Sequence, residues 1–222
     1  MHFEILVEDA FGAAAIEILL EEILGANGVQ HSWKPHPYRG IGRIPKHMRT
    51  VSNPAKRLLL SQLPRILQGY GRSLDHASTA VVVVVDLDHR NCVELKRELL
   101  DVLERCQPSP NTLFRNAIEE VEAWLLGDPD AVRTAYPRAR DAVLDRYAQD
   151  SICGTWEVLA DAVHPGGADR LRQSGWHRTG SAKSDWARNV APHIDVDRNR
   201  SRSFQVFRDG MLRLANLPCT AV

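Results

Sequence analysis

Ala80-Val81-Val82-Val83-Val84-Val85-Asp86-Leu87-Asp88 is a run of five valines closed by two carboxylates. β-Branched residues without polar alternation make a strand buried on both faces, as in the middle of a parallel sheet. Open α/β sheets bind ligands in the crevice beyond the carboxyl ends of their strands. Asp86 and Asp88 stand at such an end. Two like charges there raise each other's energy unless something positive lies between them. A hard divalent cation, Mg²⁺ or else Mn²⁺, takes carboxylate oxygens. The stretch therefore predicts a metal at the edge of a sheet.

Working outward, strand and helix alternate through residue 126. His2 to Val7 reads as a short first strand ending at Glu8 and Asp9, followed by a helix over 12–25 with Gly25 as its stop. Gln30 to His36 reads as a second strand, kept short or at an edge by Pro35 and Pro37. Residues 37–53 carry Gly40, Gly42 and Pro45 and read as a loop. Asn53-Pro54 opens a helix to about Gly69 with Pro64 as a kink or break. After the valine strand, Asn91 caps a helix over 92–106 with Leu95, Leu99, Leu100 and Leu103 inward. Thr112 to Ile118 reads as a fourth strand, and Glu119 to Leu126 as the start of a helix. This order predicts an α/β fold with a mostly parallel four-stranded sheet flanked by helices. Past residue 128 only helical patterns and loops remain. The expected division is an α/β core over 1–128 with a helical extension over 129–222 packed on it.

Composition sets the frame. The 222 residues are 44% hydrophobic and 25% charged, ordinary for a globular chain. No apolar run has the length of a membrane span, and no basic segment followed by a cleavage site marks a secretory signal. Cys92, Cys106, Cys153 and Cys219 form no Cys-x-x-Cys pair. They read as free thiols, which places the protein in the cytoplasm and argues against structural zinc.

Net charge is zero but unevenly spread. Residues 1–33 hold Glu4, Glu8, Asp9, Glu17, Glu21 and Glu22 with no Lys or Arg. Residues 34–74 hold Lys34, Arg39, Arg43, Lys46, Arg49, Lys56, Arg57, Arg65 and Arg72 with no Asp or Glu. Arg198, Arg200, Arg202 and Arg208 form a second basic cluster. An acidic site beside a basic block suits an anionic substrate held by its phosphates and cut at a metal. Arg39, Arg43 and Lys46, in the loop, are candidates for that grip on DNA or RNA. The plainer reading of the same charges is a solvated surface.

Glu8, Asp86, Asp88 and Glu122 each lie at or shortly after the carboxyl end of an expected strand. Four carboxylates from three chain segments can thus converge on one or two cations, activating water and stabilising a leaving oxygen. Each has a structural alternative. Aspartates after strands form turns and helix caps, and Glu119, Glu120 and Glu122 suit a helix's first turns. Trp124, Leu125 and Leu126 read as core.

The order Val7-Glu8, then Asp86-Leu87-Asp88 after a valine-rich strand, resembles the Toprim domain of topoisomerases, bacterial primases and the overcoming-lysogenization-defect nucleases. Glu122-Ala123-Trp124-Leu125-Leu126-Gly127-Asp128 resembles a signature of stand-alone Toprim-like proteins, often encoded near ATPases of bacterial defence loci. The resemblance covers about residues 1–128. It implies a Toprim-like sheet, Mg²⁺ on Asp86 and Asp88, and Glu8 as acid/base or metal ligand. It also implies nuclease activity, and an ATPase encoded nearby as partner. A lysine in the C-terminal part stabilises developing charge in the nuclease relatives, which puts Lys183 in that role. One departure stands out: Asp9 follows Glu8 where the pattern has Gly, and Gly12 stands four positions on.

Two other classes compete with a metal-dependent nuclease. One is a phosphatase of haloacid-dehalogenase type with Asp86 as nucleophile. That motif normally comes early and continues with Thr or Val, where this chain has Arg90. The other is a catalytically silent Toprim-like binding subunit of an ATPase complex. Self-association is a further expectation. No phosphate-binding Gly-x-x-x-x-Gly-Lys loop, His-Glu-x-x-His helix or Gly-x-Ser-x-Gly elbow is present.

Overall fold

The computed structural model describes residues 1–47, 53–149, 151 and 154–216. Arg49, Cys153 and Cys219 lie outside the described residues. Strands β1 (His2–Val7), β2 (Ser32–Pro37), β3 (Thr79–Asp86) and β4 (Thr112–Ala117) form one sheet in the order β2-β1-β3-β4. All three pairings are parallel. The crossovers run through helices α1 (Ala10–Leu24), α2 (Leu59–Ser73) and α3 (Cys92–Glu104). The chain steps from β1 to β2 on one side and from β3 to β4 on the other. The topological switch point, where such sheets bind ligands, therefore lies between β1 and β3.

The valine run accounts for the layering. Val82 and Val84 face one apolar core with Phe3, Ile5 and α1. Val81, Val83 and Val85 face a second core built on α2 and α3. All five are fully buried. The strand thus has no solvent face and no use for polar alternation.

Beyond residue 128 the chain is helical: α5 (Pro129–Ala135), α6 (Asp141–Leu144), α7 (Thr155–Val163), α8 (Gly167–Gln173), α9 (Trp176–Val190) and α10 (Arg202–Asn216). Helix α9 packs on α1, and α10 packs on β4 and α1. Phe204, Phe207, Met211 and Val190 join Phe3, Ile5 and Val82 in a single core. The C-terminal helices thus cover one face of the sheet. No described helix is long and apolar enough to cross a membrane.

Several local expectations shift. Helix α2 starts at Leu59, after a 3₁₀ turn at Pro54–Lys56, and passes through Pro64 to Ser73. On α3 the buried positions are Leu95, Leu99 and Val102, while Leu100 is 41% exposed. The inward stripe is set by α3's contacts with α2 and β4 and does not centre on the leucines. Cys92 and Cys106 are free thiols.

The short helix α4 (Glu122–Leu126) is clamped from far along the chain. Asn199 Nδ2 donates to the Trp124 carbonyl at 2.8 Å, and the Trp124 indole N–H donates to Ser203 Oγ at 2.9 Å. Gly127 closes the helix where a Cβ would stand 2.1 Å from Asn199 Oδ1. Asn199 is 1% exposed and cannot swing away. Gly127→Ala is expected to cost about 1–3 kcal/mol through overpacking. At roughly 2–4 °C per kcal/mol for a chain this long, that lowers the melting temperature by about 2–12 °C. A thermal melt unchanged from wild type refutes this account of the clamp.

Candidate metal centre

Glu8 stands one residue past β1 and Asp86 is the last residue of β3. These strands are adjacent and in register through Val7 and Val84, so both carboxyls lie at the switch point. The loops after β3 and β4 are pinned together above it. The Leu87 N–H donates to the Ala117 carbonyl and the Asp88 N–H to the Glu119 carbonyl, at 2.9 and 3.1 Å. The Val121 N–H donates to Asp86 Oδ1 at 3.2 Å. Both loops bend through left-handed residues other than glycine, Asp88 at φ 47° and Glu119 at φ 68°. Glutamate seldom adopts that conformation, and paired outliers of this kind cluster at functional sites.

Asp9 caps α1 through Oδ1, which accepts from the Gly12 N–H at 2.7 Å. This capping accounts for the aspartate at position 9. Gly12 itself lies against β1, where a Cβ would stand 2.7 Å from Val7 Cγ1.

Glu122 opens α4 and is 1% exposed. Its partner is Lys183 of α9, with Nζ 2.5 Å from Oε1. The Lys183 Nζ also lies 5.4 Å from the centre of the Phe11 ring. The residue expected to ligate metal and the residue expected to stabilise charge thus form an ion pair.

Glu120 faces elsewhere. Its Oε2 accepts from Thr155 Oγ1 and from the Trp156 N–H, at 3.0 and 3.1 Å, and so caps the start of α7. The Tyr147 hydroxyl donates to Glu119 Oε2 at 3.0 Å. Sequence reasoning grouped the three glutamates as first-turn residues; the fold gives each a separate task.

The electrostatics carry the strain of crowded carboxylates. Burial, then Asp88 and Asp9, push Glu8 up to about 7, against the pull of backbone groups of Asp86 and Ile41. Burial, then Glu122, Glu8 and Asp9, hold Asp86 well above the usual carboxylate range. Burial also pushes Glu122 up to about 7 in spite of Lys183. Burial works against the charge on Lys183, but Glu122, Asp9 and Glu120 outweigh it and hold the ammonium above its ordinary value.

Among the described residues, no three Asp, Glu, His or Cys side chains are grouped so as to hold an ion as they stand. The chemistry of the set nonetheless fits a hard cation. Glu8 Oε2 and Glu122 Oε2 are buried oxygens with no hydrogen-bond partner among the described residues. The acidic groups that act on Asp86, namely Glu122, Glu8 and Asp9, are carboxylates, the ligand type that Mg²⁺ and Mn²⁺ take.

The raised acids predict a pH dependence. Glu8 and Glu122 hold their protons in the fold up to about 7 but lose them near 4.5 when unfolded. The fold binds more protons across that window, so stability falls as pH rises through it. Each glutamate withdraws at most about 3 kcal/mol, complete above about pH 7. The cation-free protein is expected to melt several degrees lower at about pH 8 than at about pH 5. Mg²⁺ should recover stability at the higher pH and little at the lower. Thermal melts across pH, with Glu8→Gln alongside, test this; a profile that the substitution leaves unchanged speaks against it.

The three basic candidates do not act as one group. Arg39 lines a cleft together with Asp9 and Lys183. Arg43 and Lys46 line a different cleft over α3, where Glu94, Glu98 and Asp101 face them. The loop is tied down between: the Gly40 N–H donates to the Glu8 carbonyl at 3.0 Å, and Arg90 donates to the Gly42 carbonyl at 3.3 Å.

A family model described as a domain of unknown function, DUF4276, matches residues 7–212. The chain belongs to this family. The DUF4276 match begins at the end of β1 and runs into α10, so it spans the sheet and the C-terminal helices that share its core. No curated protein and no solved structure matches this DUF4276 chain.

Proposed function

We propose that this protein is a Mg²⁺- or Mn²⁺-dependent nuclease of Toprim type. The observation that carries the reading is the set of carboxylates at the switch point. Glu8 and Asp86 stand at the ends of adjacent parallel strands; burial and Asp88 raise the proton affinity of Glu8, burial, Glu122 and Glu8 that of Asp86, an arrangement that calls for a cation. Glu8, Asp86 and Asp88 would hold the ion, with Glu122 beside them on Lys183. A bound divalent ion there polarises a phosphoryl oxygen and lowers the pKa of water.

The protein's own groups account for the rest. Glu8, near neutrality, is suited to take a proton from attacking water and return it to a leaving oxygen. Lys183 keeps its charge next to the cluster and can stabilise negative charge developing on phosphate oxygens. Arg39, across the cleft, offers a further cation for the backbone.

The resemblance to stand-alone Toprim-like proteins adds a setting in bacterial defence with an ATPase encoded nearby; the free thiols point to the cytoplasm, and self-association is part of the same proposal. The test is cleavage of single- and double-stranded DNA and RNA with Mg²⁺ or Mn²⁺, with and without the neighbouring ATPase, for wild type against Asp86→Asn. No cleavage of any form by wild type under any of these conditions sinks the reading and leaves a silent binding subunit.

A further inference from the structure

A cleft of about 1160 Å³ meets the edge of the carboxylate cluster at Asp9 and Lys183, and is bounded by Phe11, Tyr38 and Arg39 together with residues of α9. Two tryptophans line it. Trp176 is 78% exposed, whereas Trp124 and Trp186 are buried in the core. Its ring stacks on His177, centroids 3.8 Å apart and planes 29° apart. Trp156 carries the Arg172 guanidinium 5.2 Å from its ring centre.

The spacing along α9 gives the cleft a direction. Trp176, Gly180, Lys183 and Ser184 stand at i, i+4, i+7 and i+8 and all line it. Trp176 and Lys183 are therefore two turns apart, about 10.5 Å along the axis. Gly180 lies between them, and a Cβ there would meet nothing within 4 Å. A flat exposed ring, an open floor and the Lys183–Glu122 pair thus follow one another toward the acidic cluster.

The charges are arranged for a backbone rather than a compact anion. Arg172 is already engaged by Glu157 and Asp169, at 2.8 and 2.9 Å, which fixes its plane on Trp156. Arg39 forms no ion pair among the described residues and faces the cleft near Asp9. Exposed aromatic faces next to cations bind unstacked bases, whose π faces a duplex keeps hidden.

We propose that this cleft is the path of a single-stranded nucleic acid. Its bases stack on Trp176 and on the Arg172 guanidinium held over Trp156, and its backbone runs past Arg39 toward Asp9 and Lys183 at the edge of the carboxylate cluster. This assignment rests on the nuclease reading of that cluster and names its substrate class.

The test is fluorescence anisotropy with labelled oligo-dT, oligo-rU and a duplex of equal length, in chelator so that nothing is cut. Single strands are expected to bind about tenfold more tightly than the duplex, and Trp176→Ala to weaken them about tenfold. Trp176→Phe should keep most of the affinity. Arg39→Ala should reduce the salt dependence by about one phosphate contact. The stronger of oligo-dT and oligo-rU identifies the sugar. Equal binding of duplex and single strand, or a Trp176→Ala protein that binds as wild type, overturns the proposal whatever cleavage shows. Single-strand binding that depends on Trp176, without cleavage in Mg²⁺ or Mn²⁺, upholds the path and removes the nuclease.

Discussion

Asp86→Asn is expected to abolish cleavage while leaving the fold intact. Asparagine keeps an oxygen where Asp86 Oδ1 accepts from the Val121 N–H. The pinned loops after β3 and β4 are therefore preserved. What disappears is the charge at the centre of the cluster. Loss of a central metal ligand removes about 4 kcal/mol of transition-state stabilisation, a roughly thousandfold fall in rate. In cation-free buffer the variant should melt no lower than wild type, because burial, Glu122 and Glu8 all oppose the charge that the substitution removes. Calorimetry should show Mg²⁺ binding in wild type and none in the variant. Cleavage that survives in Asp86→Asn would remove Asp86 from the mechanism; a collapsed melting curve would make its role structural.

Lys183→Met carries the largest expected effect on stability. Glu122 is 1% exposed and Lys183 is its cation. Removing one partner of a buried pair strands the other, at about 3–5 kcal/mol. At roughly 2–4 °C per kcal/mol this amounts to about 6–20 °C. The loss has a pH signature. Without Lys183 the Glu122 carboxyl holds its proton to still higher pH, so the penalty grows as pH rises and shrinks in mild acid. Lys183→Met/Glu122→Gln should recover most of the stability, since no charge is then left buried. Equal melting temperatures for the single and double variants would show that the pair contributes packing and not charge compensation. Activity separates the roles further: the double variant should fold well and cleave less than Glu122→Gln alone if Lys183 serves the phosphate.

The parts of this architecture that were legible are those governed by neighbours in sequence. Five valines require burial on both faces, and Asp86 closes that strand at its carboxyl end; that this end lies at the switch point depends on the strand order and not on the stretch alone. The all-parallel four-stranded sheet follows from alternation of strand and helix. Long-range pairing was not legible. Nothing near Leu100 announces that Val102 takes the inward position, because α2 and β4 decide α3's rotation. Glu120 caps a helix that begins 35 residues later, and Asn199 clamps Trp124 across 75. Trp176 does carry a local signal: an aromatic next to His177 in a polar stretch between Arg172 and Arg178 is poor core material.

The shared core has a consequence for synthesis. Strand β1 cannot find β3 until about eighty residues exist, and the face formed by Phe3, Ile5, Val82 and Val84, covered in part by α1, is completed only when α9 and α10 arrive. At roughly 5–20 residues per second, the interval between completing β1 and completing α10 is about 10–40 s. Throughout it the nascent chain presents a long apolar, β-rich segment, the kind most prone to aggregate. A fragment ending at residue 128 would freeze the molecule in that state. Expression yield is thus expected to depend on the last helix as much as on the first strand.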